Sequence, residues 1–342
     1  MAITEKENIL RFYKHELPER MMNPQYMHTI LGYGYLERPL EPRIVKPLRL
    51  EPKKYGYTVS MQDWFGVEYA VEPASGSMPD TTKPYILTDI TKWREQVKFP
   101  DLDAYDWEAA AKFDHADMID RENKVVVVLV QCGLYERFHS LAGMENAMIW
   151  MLEEPEATQE LLAAIADHKL RLFERLIKYY KPDILKHHDD YGSQQSLQMS
   201  PALWREMIKP HIARFVKLCH DNGVFYEQHS CGFVEPIVPD FAEIGVDSWQ
   251  GMHINDVLKL KKLSNGKLNY NMTLNHQKYM ADDFAGNLTE ESLRKQARET
   301  ITECAKGGHY FPGLALAFGD YRWWGAAVLQ DEITRCIAEV KI

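Results

Sequence analysis

The sequence predicts a (β/α)8 TIM barrel with an irregular N-terminal segment over residues 1–60, all in one domain spanning residues 1–342. Three observations predict it. Beyond about residue 124, strand-like runs alternate with helical patterns six times, as parallel strands joined by crossover helices do. One of those runs, Val125 to Val130, is continuously apolar, which suits a parallel strand buried on both faces. No GxGxxG follows any strand, which weighs against the alternative, an open doubly wound sheet built to bind a dinucleotide. Two further units in the N-terminal third would bring the count to eight.

The elements follow in order. "KVVVVLVQCG" is the first clear strand, ended by Gly133. Helical patterns cover Glu145 to Glu153 and then Thr158 to Tyr180, where Leu161, Leu162, Ile165, Leu172, Phe173, Leu176 and Ile177 recur at helical spacing until Pro182. "DILKHHDD" is a short strand with a polar C-terminal end. Ser200 and Pro201 form an N-cap and first-turn pair opening a helix that runs to about Gly223. Next come strand "VFYEQHSCG", a helix from about Pro236, strand "VDSWQG", helix "DVLKLKKL" and strand "KLNYNMTL". The chain closes with helix "EESLRKQARETITECAKG", the strand-like "HYFPGLAL" and a helix from Trp324 to Val340.

Bulk properties exclude several classes. The chain carries 40 basic and 50 acidic residues, a net charge of -10, so it lacks the cationic surface that nucleic acid demands. Its 5 cysteines are odd in number and irregularly spaced, which is no disulfide framework and points to a reducing compartment. The first twenty residues lack a signal-peptide core, and the longest apolar run is far too short to cross a bilayer. A soluble, cytoplasmic protein with no membrane or nucleic-acid partner is expected.

A barrel carries its site at the C-terminal ends of the strands. Reading those ends in order gives Gln131 and Arg137, then His187, His188, Asp189, Asp190 and Tyr191, then Glu227, His229 and Cys231. Gln250, His253, Asn255, Asp256, Asn275, His276 and His309 complete the rim. Glu227, His229 and Cys231 alternate along one strand, so all three face the same way and imidazole and thiolate can reach one ion. A buried cysteine beside a core histidine satisfies the same spacing, because two ligands do not make a zinc site. In "HHDDYG" one aspartate points inward as a ligand or general acid, or else one carboxylate caps the next helix while the other binds a neighbouring backbone. Arg137 is placed to bind a substrate carboxylate or to form a structural ion pair. Phe318, Tyr321, Trp323 and Trp324 read as core or as a subunit interface, compatible with a homodimer.

Taken together these residues resemble the uroporphyrinogen decarboxylase superfamily, in particular its corrinoid-dependent methyltransferase branch. The resemblance runs from about residue 55 to 335 and rests on "QDWFGVEY", "PDLDAYDW", "GLYERFHSLAGMENAMIWMLEEPE", "DDYGSQ…MSPALWREMIKPHI", "HSCGFVEPIVPDFAEIGVDSWQ" and the following "IND…LK". It implies a (β/α)8 barrel and a zinc ion held by His-x-Cys after the fifth strand and a cysteine after the eighth. Carried over, the first two ligands are His229 and Cys231. The third does not carry over, since "GGHYFPGLALAFG" has no cysteine. Glu227 is taken as the third ligand, with Asp190 and His253 as further candidates.

The implied activity is transfer of a methyl group between a small methylated compound, a methoxylated aromatic above all, and the cobalt of a partner corrinoid-binding protein. Zinc would polarise the oxygen or thiol that loses or gains the methyl group. Asp190, Tyr191 and His253 are expected to orient the substrate or protonate its leaving oxygen. Substrate contacts are expected from Arg137, His188, Gln250 and Asn275. Decarboxylation of uroporphyrinogen, or by a related enzyme of the same fold, is the runner-up. That activity uses an Arg-x-x-Gly-Arg-type N-terminal element, and here the N-terminal region offers Arg38 and Arg43 without the pattern.

Overall fold

The computed structural model describes residues 3–30, 49–53, 56–72, 76–314 and 323–342. Arg38, Arg43, Phe318 and Tyr321 lie outside the described residues. The N-terminal segment is more regular than its polar, proline-rich sequence suggests. It opens with helix α1 (Glu5–Tyr13), capped by Thr4, whose hydroxyl accepts the Glu7 amide at 3.1 Å, and continues to strand β1 (Met27–Ile30). Strands β2 (Arg49–Lys53), β3 (Gly56–Gln62), β4 (Glu68–Glu72) and β5 (Gly76–Pro79) pair antiparallel in a separate four-stranded sheet. Short helices α2 (Trp93–Gln96) and α3 (Trp107–Phe113) follow.

Strand and helix then alternate as expected. Strand β6 (Val125–Val130) leads to α4 (Leu134–Ala142), α5 (Met144–Glu153) and the long α6 (Pro155–Tyr180). Strand β7 (Ile184–His188) leads to α7 (Pro201–Met207) and α8 (Lys209–Asp221). Strand β8 (Phe225–His229) leads to α9 (Val238–Glu243), and β9 (Ser248–Met252) to α10 (Val257–Ser264). Strand β10 (Asn269–Thr273) leads to α11 (His276–Phe284) and α12 (Glu290–Ala305), and β11 (Tyr310–Gly313) to α13 (Trp324–Glu339). The helix expected from Ser200 to Gly223 is two helices: Pro210 sits in the first turn of α8, where its missing N–H and ring are tolerated, and the chain bends at Ile208.

The parallel sheet has seven strands in the order β1-β6-β7-β8-β9-β10-β11 and is curled. The expected eighth strand is not among the described residues, and of the N-terminal strands described only β1 joins this sheet. Alternation along each strand divides its residues between two layers. Val126, Val128, Val130, Leu185, Tyr226, Trp249, Tyr270 and Met272 pack outward into the main core with the helices. Val125, Val127, Ile184 and Phe311 pack inward against Ile9, Phe12 and Tyr13 of α1. Helix α1 therefore covers the N-terminal end of the concave face, and each apolar side chain buried there stabilises the fold by about 2 kcal/mol. Further along the same face come Lys186, Glu227 and Asn271, and at the C-terminal ends His188, His229 and Gln250.

Candidate metal centre

The register pairs His188 of β7 with His229 of β8, so both imidazoles leave the sheet at one height on the same face. Their rings stack with centroids 4.2 Å apart and planes 20° apart. Each strand runs into an irregular segment, Asp190-Tyr191-Gly192 and Ser230-Cys231-Gly232, and the two segments are laced together. The Cys231 amide donates to Asp190 Oδ1 at 2.6 Å, and the Tyr191 amide to Ser230 Oγ at 3.1 Å. Gly232 has φ +81°, and a Cβ there would lie 2.3 Å from the Gly192 carbonyl, so only glycine allows this approach.

These segments bring Asp190 and Cys231 over His229. Its Nε2 lies 3.4 Å from Asp190 Oδ1 and 3.2 Å from Cys231 Sγ, and His188 Nε2 lies 4.0 Å from the same Asp190 oxygen. His188, Asp190 and His229 offer ligand atoms within 4.8 Å of one another. Tetrahedral zinc with nitrogen, oxygen and sulfur ligands at their usual bond lengths separates neighbouring ligand atoms by about 3.4–3.6 Å. Of the contacts around His229, the Asp190 oxygen at 3.4 Å falls in that range and the Cys231 sulfur at 3.2 Å lies just below it.

Both imidazoles keep Nε2 turned to the cluster because Nδ1 is engaged elsewhere. His188 Nδ1 is 3.0 Å from Glu136 Oε2, and His229 Nδ1 is in close contact with Gln250 Oε1. Partners of this kind fix tautomer and ring orientation in metal-binding histidines. The electrostatics also favour a cation. Burial raises the Asp190 carboxyl, but the charge of His188 and the hydrogen bond from His229 overcome it and hold the group well below its usual range. Burial and His188 lower the His229 imidazole, yet Cys231 and Asp190 raise it to about 9. A group of two imidazoles, a carboxylate and a thiol that stabilises positive charge at its centre fits zinc.

The other expected site residues fall elsewhere. Glu227 shares the face of His229 but lies two residues, about 7 Å, down the strand. Its carboxylate is 3.1 Å from Lys186 Nζ and accepts from the Tyr13 hydroxyl at 2.8 Å, which commits it to the layer below the cluster. Arg137 is fully buried; its guanidinium forms an ion pair of 2.5 Å with Asp63 and lies 4.2 Å over the Phe65 ring, so it does not reach the rim. Tyr191 is buried, and its hydroxyl donates to Asp189 Oδ2 at 2.8 Å rather than facing a substrate. His253 Nε2 meets the Tyr310 hydroxyl at 2.9 Å. Asn275 caps α11, its Oδ1 accepting the Lys278 amide at 3.1 Å. Gln250 serves His229 directly.

Two residues in the assembly were not singled out for these roles by the sequence. Glu136, adjacent to Arg137, holds His188; its position three residues after Gly133, at the start of a helix, was the available signal. Asp189 accepts the amides of Leu134, Tyr135 and Glu136 at 2.9, 3.0 and 2.8 Å, pinning the first turn of α4 to the end of β7. Burial and the charge of Glu136 push its carboxyl up to about 7 against the pull of those amides. Asp189 is thus a cap, but of α4, which precedes it in the chain, rather than of the next helix as one reading of the sequence had it; Asp190 both binds backbone and faces the cluster.

A parallel α/β fold with ligand-bearing strand ends defines a broad class of enzyme-like scaffolds, and comparison narrows it. The uroporphyrinogen decarboxylase (URO-D) family profile matches residues 61–312. The chain belongs to the uroporphyrinogen decarboxylase family. Among solved structures, a methyltransferase from Methanosarcina mazei superposes with a TM-score of 0.60 over 98% of this chain and 99% of that one, at 13% sequence identity. At that identity the likeness concerns the fold. No sequence match to a curated protein was found.

Proposed function

We propose that the protein is a zinc-dependent methyltransferase. It moves a methyl group between a small methylated compound, a methoxylated aromatic in the first instance, and a corrinoid carried by a partner protein, on a curled sheet that closes as a (β/α)8 barrel. The observation that carries this reading is the meeting of Asp190, Cys231 and His188 around His229 Nε2 at the C-terminal rim. Family membership and the methyltransferase fold neighbour support it.

His229, Cys231 and Asp190 would hold the ion, with His188 beside them. When bound, zinc supplies a Lewis acid that takes up negative charge on the oxygen or sulfur losing its methyl group, the largest gain available for an ether. The chain's own residues do the rest. Gln250 and Glu136 hold both imidazoles with Nε2 forward. The Cys231 amide, donating to Asp190 Oδ1, fixes Asp190 relative to Cys231. His188, whose Nδ1–H is held by Glu136, would donate from Nε2 to the substrate oxygen only as the imidazolium. The decarboxylase reading is weaker because Arg137, the arginine expected at the rim, is spent on Asp63.

Metal analysis of the purified protein should find about one zinc per chain, lost in His229→Ala and Cys231→Ala. Mixed with a cob(I)alamin carrier and methoxyarenes, the protein should generate the methylcobalamin spectrum. An active metal-free protein would overturn the zinc assignment. Release of CO2 from uroporphyrinogen without methyl transfer would favour the decarboxylase.

A further inference from the structure

Three buried polar side chains on the outward face of the sheet have no part in the metal-centred reading. His187, expected at the rim, points instead into the helix layer, where its ring meets Phe173 of α6 and Phe215 of α8 edge-on at 5.4 and 5.2 Å. Tyr226 and Gln228 alternate on the same outward face of β8, and the register sets Gln228 beside His187. All three are fully shielded from solvent. Polar groups in such surroundings cost stability unless they are bonded, and apolar side chains would fill the same space at no greater cost. The direction of their bonds gives the reason they stand there.

The bonds form one chain with one direction. The Gln228 amide nitrogen donates to the His229 carbonyl oxygen at 2.8 Å, since a carbonyl only accepts. That leaves Gln228 Oε1 facing the Tyr226 hydroxyl at 2.9 Å, and the proton between the two oxygens belongs to the tyrosine. Burial pushes this hydroxyl well above its usual range, so the proton stays in place. The hydroxyl oxygen is left to accept, and His187 Nδ1 donates to it at 2.7 Å. Bonds aligned head to tail polarise one another, and here the last donor ends on the backbone of His229.

The His229–Ser230 peptide receives this bond, and further partners hold both its ends. The Asp189 amide donates to the same carbonyl at 3.1 Å, and the Ser230 amide donates to the Gln250 carbonyl at 3.2 Å. This peptide is the joint between the two ends of His-x-Cys. In a strand that ran straight on, Cys231 would stand about 7 Å beyond His229. Here the strand ends at His229, and Cys231 Sγ lies 3.2 Å from His229 Nε2. The orientation of the peptide plane decides whether thiol and imidazole meet.

We propose that Gln228, backed by Tyr226 and His187, is a positioning residue that fixes the His229–Ser230 peptide and so sets Cys231 against His229 for zinc. The inference rests on the zinc reading above and adds residues that touch neither ion nor substrate.

Zinc affinity, measured on the full-length protein by competition with a chelating dye, reads this role without any methyl transfer. Gln228→Met keeps the volume and removes the donor. It should weaken zinc binding by about 10–100-fold, the usual effect of losing an outer partner of a metal ligand. Tyr226→Phe breaks the chain one link earlier and leaves Gln228 in place, so the loss should be smaller, about three- to tenfold. Cobalt(II) in place of zinc gives a second readout: its sulfur-to-metal charge-transfer absorption should weaken in both variants as Cys231 shifts from the ion. Should Gln228→Met fail to fold, Tyr226→Phe, which loses only a hydroxyl, decides. A merely structural role would lower the unfolding midpoint of the metal-free variants and leave zinc affinity and the cobalt spectrum as in the wild type. That result would overturn the proposal and leave the zinc reading standing. A wild type that binds no zinc would overturn the zinc reading, and the proposal with it.

Discussion

His229 is held from three sides: Gln250 at Nδ1, and Asp190 and Cys231 at Nε2. Removing the Gln250 acceptor frees the ring to rotate and change tautomer. Gln250→Ala should therefore weaken zinc binding by about 10–100-fold, measured by competition with a chelating dye, with the stoichiometry unchanged. Glu227→Gln should do the opposite: zinc affinity unaltered, but stability in denaturant lowered by about 1–2 kcal/mol, because partly buried Lys186 loses its counter-charge. The contrast explains what the sequence disclosed. Period-two alternation reveals which residues share a face and is silent about height. Glu227 was thus legible as inward-facing and illegible as belonging to a lower layer. The His-x-Cys pair was legible from spacing because both residues lie at the strand end. His188 was picked out for the site but assigned to substrate, since only the register of β7 against β8 places it beside His229.

Elements with long, one-sided patterns were readable in the same way. The alternation from β6 onward emerged in order because β-branched runs and amphipathic helices each carry their own period. The antiparallel sheet β2–β5 did not, since its short strands alternate with proline, glycine and charge. Helix α11 was missed because its cap, Asn275, was read as a pocket residue. Contacts between elements are a further layer that local pattern does not carry, and His253 is one. It follows β9 and meets Tyr310 of β11, and burial lowers its imidazole to about 4 from an ordinary 6.5. The folded state thus favours the neutral ring, while the unfolded chain takes up a proton as pH falls below about 6.5. The stability this group contributes is complete above that pH and is lost progressively down to about pH 4. His253→Gln keeps a hydrogen-bonding side chain without titrating. Its melting temperature should fall less steeply than the wild type's between pH 6.5 and 4; identical slopes would refute the assignment.

At the scale of the whole molecule, α1 joins the two ends of the account. It covers the N-terminal end of the concave face with Ile9 and Phe12 and reaches the charged layer through Tyr13, whose hydroxyl bonds a carboxylate 214 residues away in sequence. No sequence pattern announces a contact of that range. Tyr13→Phe should cost about 1–2 kcal/mol in global unfolding, because a buried carboxylate loses a donor, and should leave zinc content untouched. Among the described residues no helix is long and apolar enough to cross a membrane. In the proposed reading the fold separates its tasks by depth: α1 and the apolar layer stabilise, and the strand ends would hold the ion. X-ray absorption at the zinc edge of the metal-loaded protein tests that assignment most directly. It should show one sulfur at about 2.3 Å with nitrogen and oxygen scatterers at about 2.0–2.1 Å, the sulfur disappearing in Cys231→Ala. A zinc spectrum without sulfur, or one unchanged by that substitution, would contradict it.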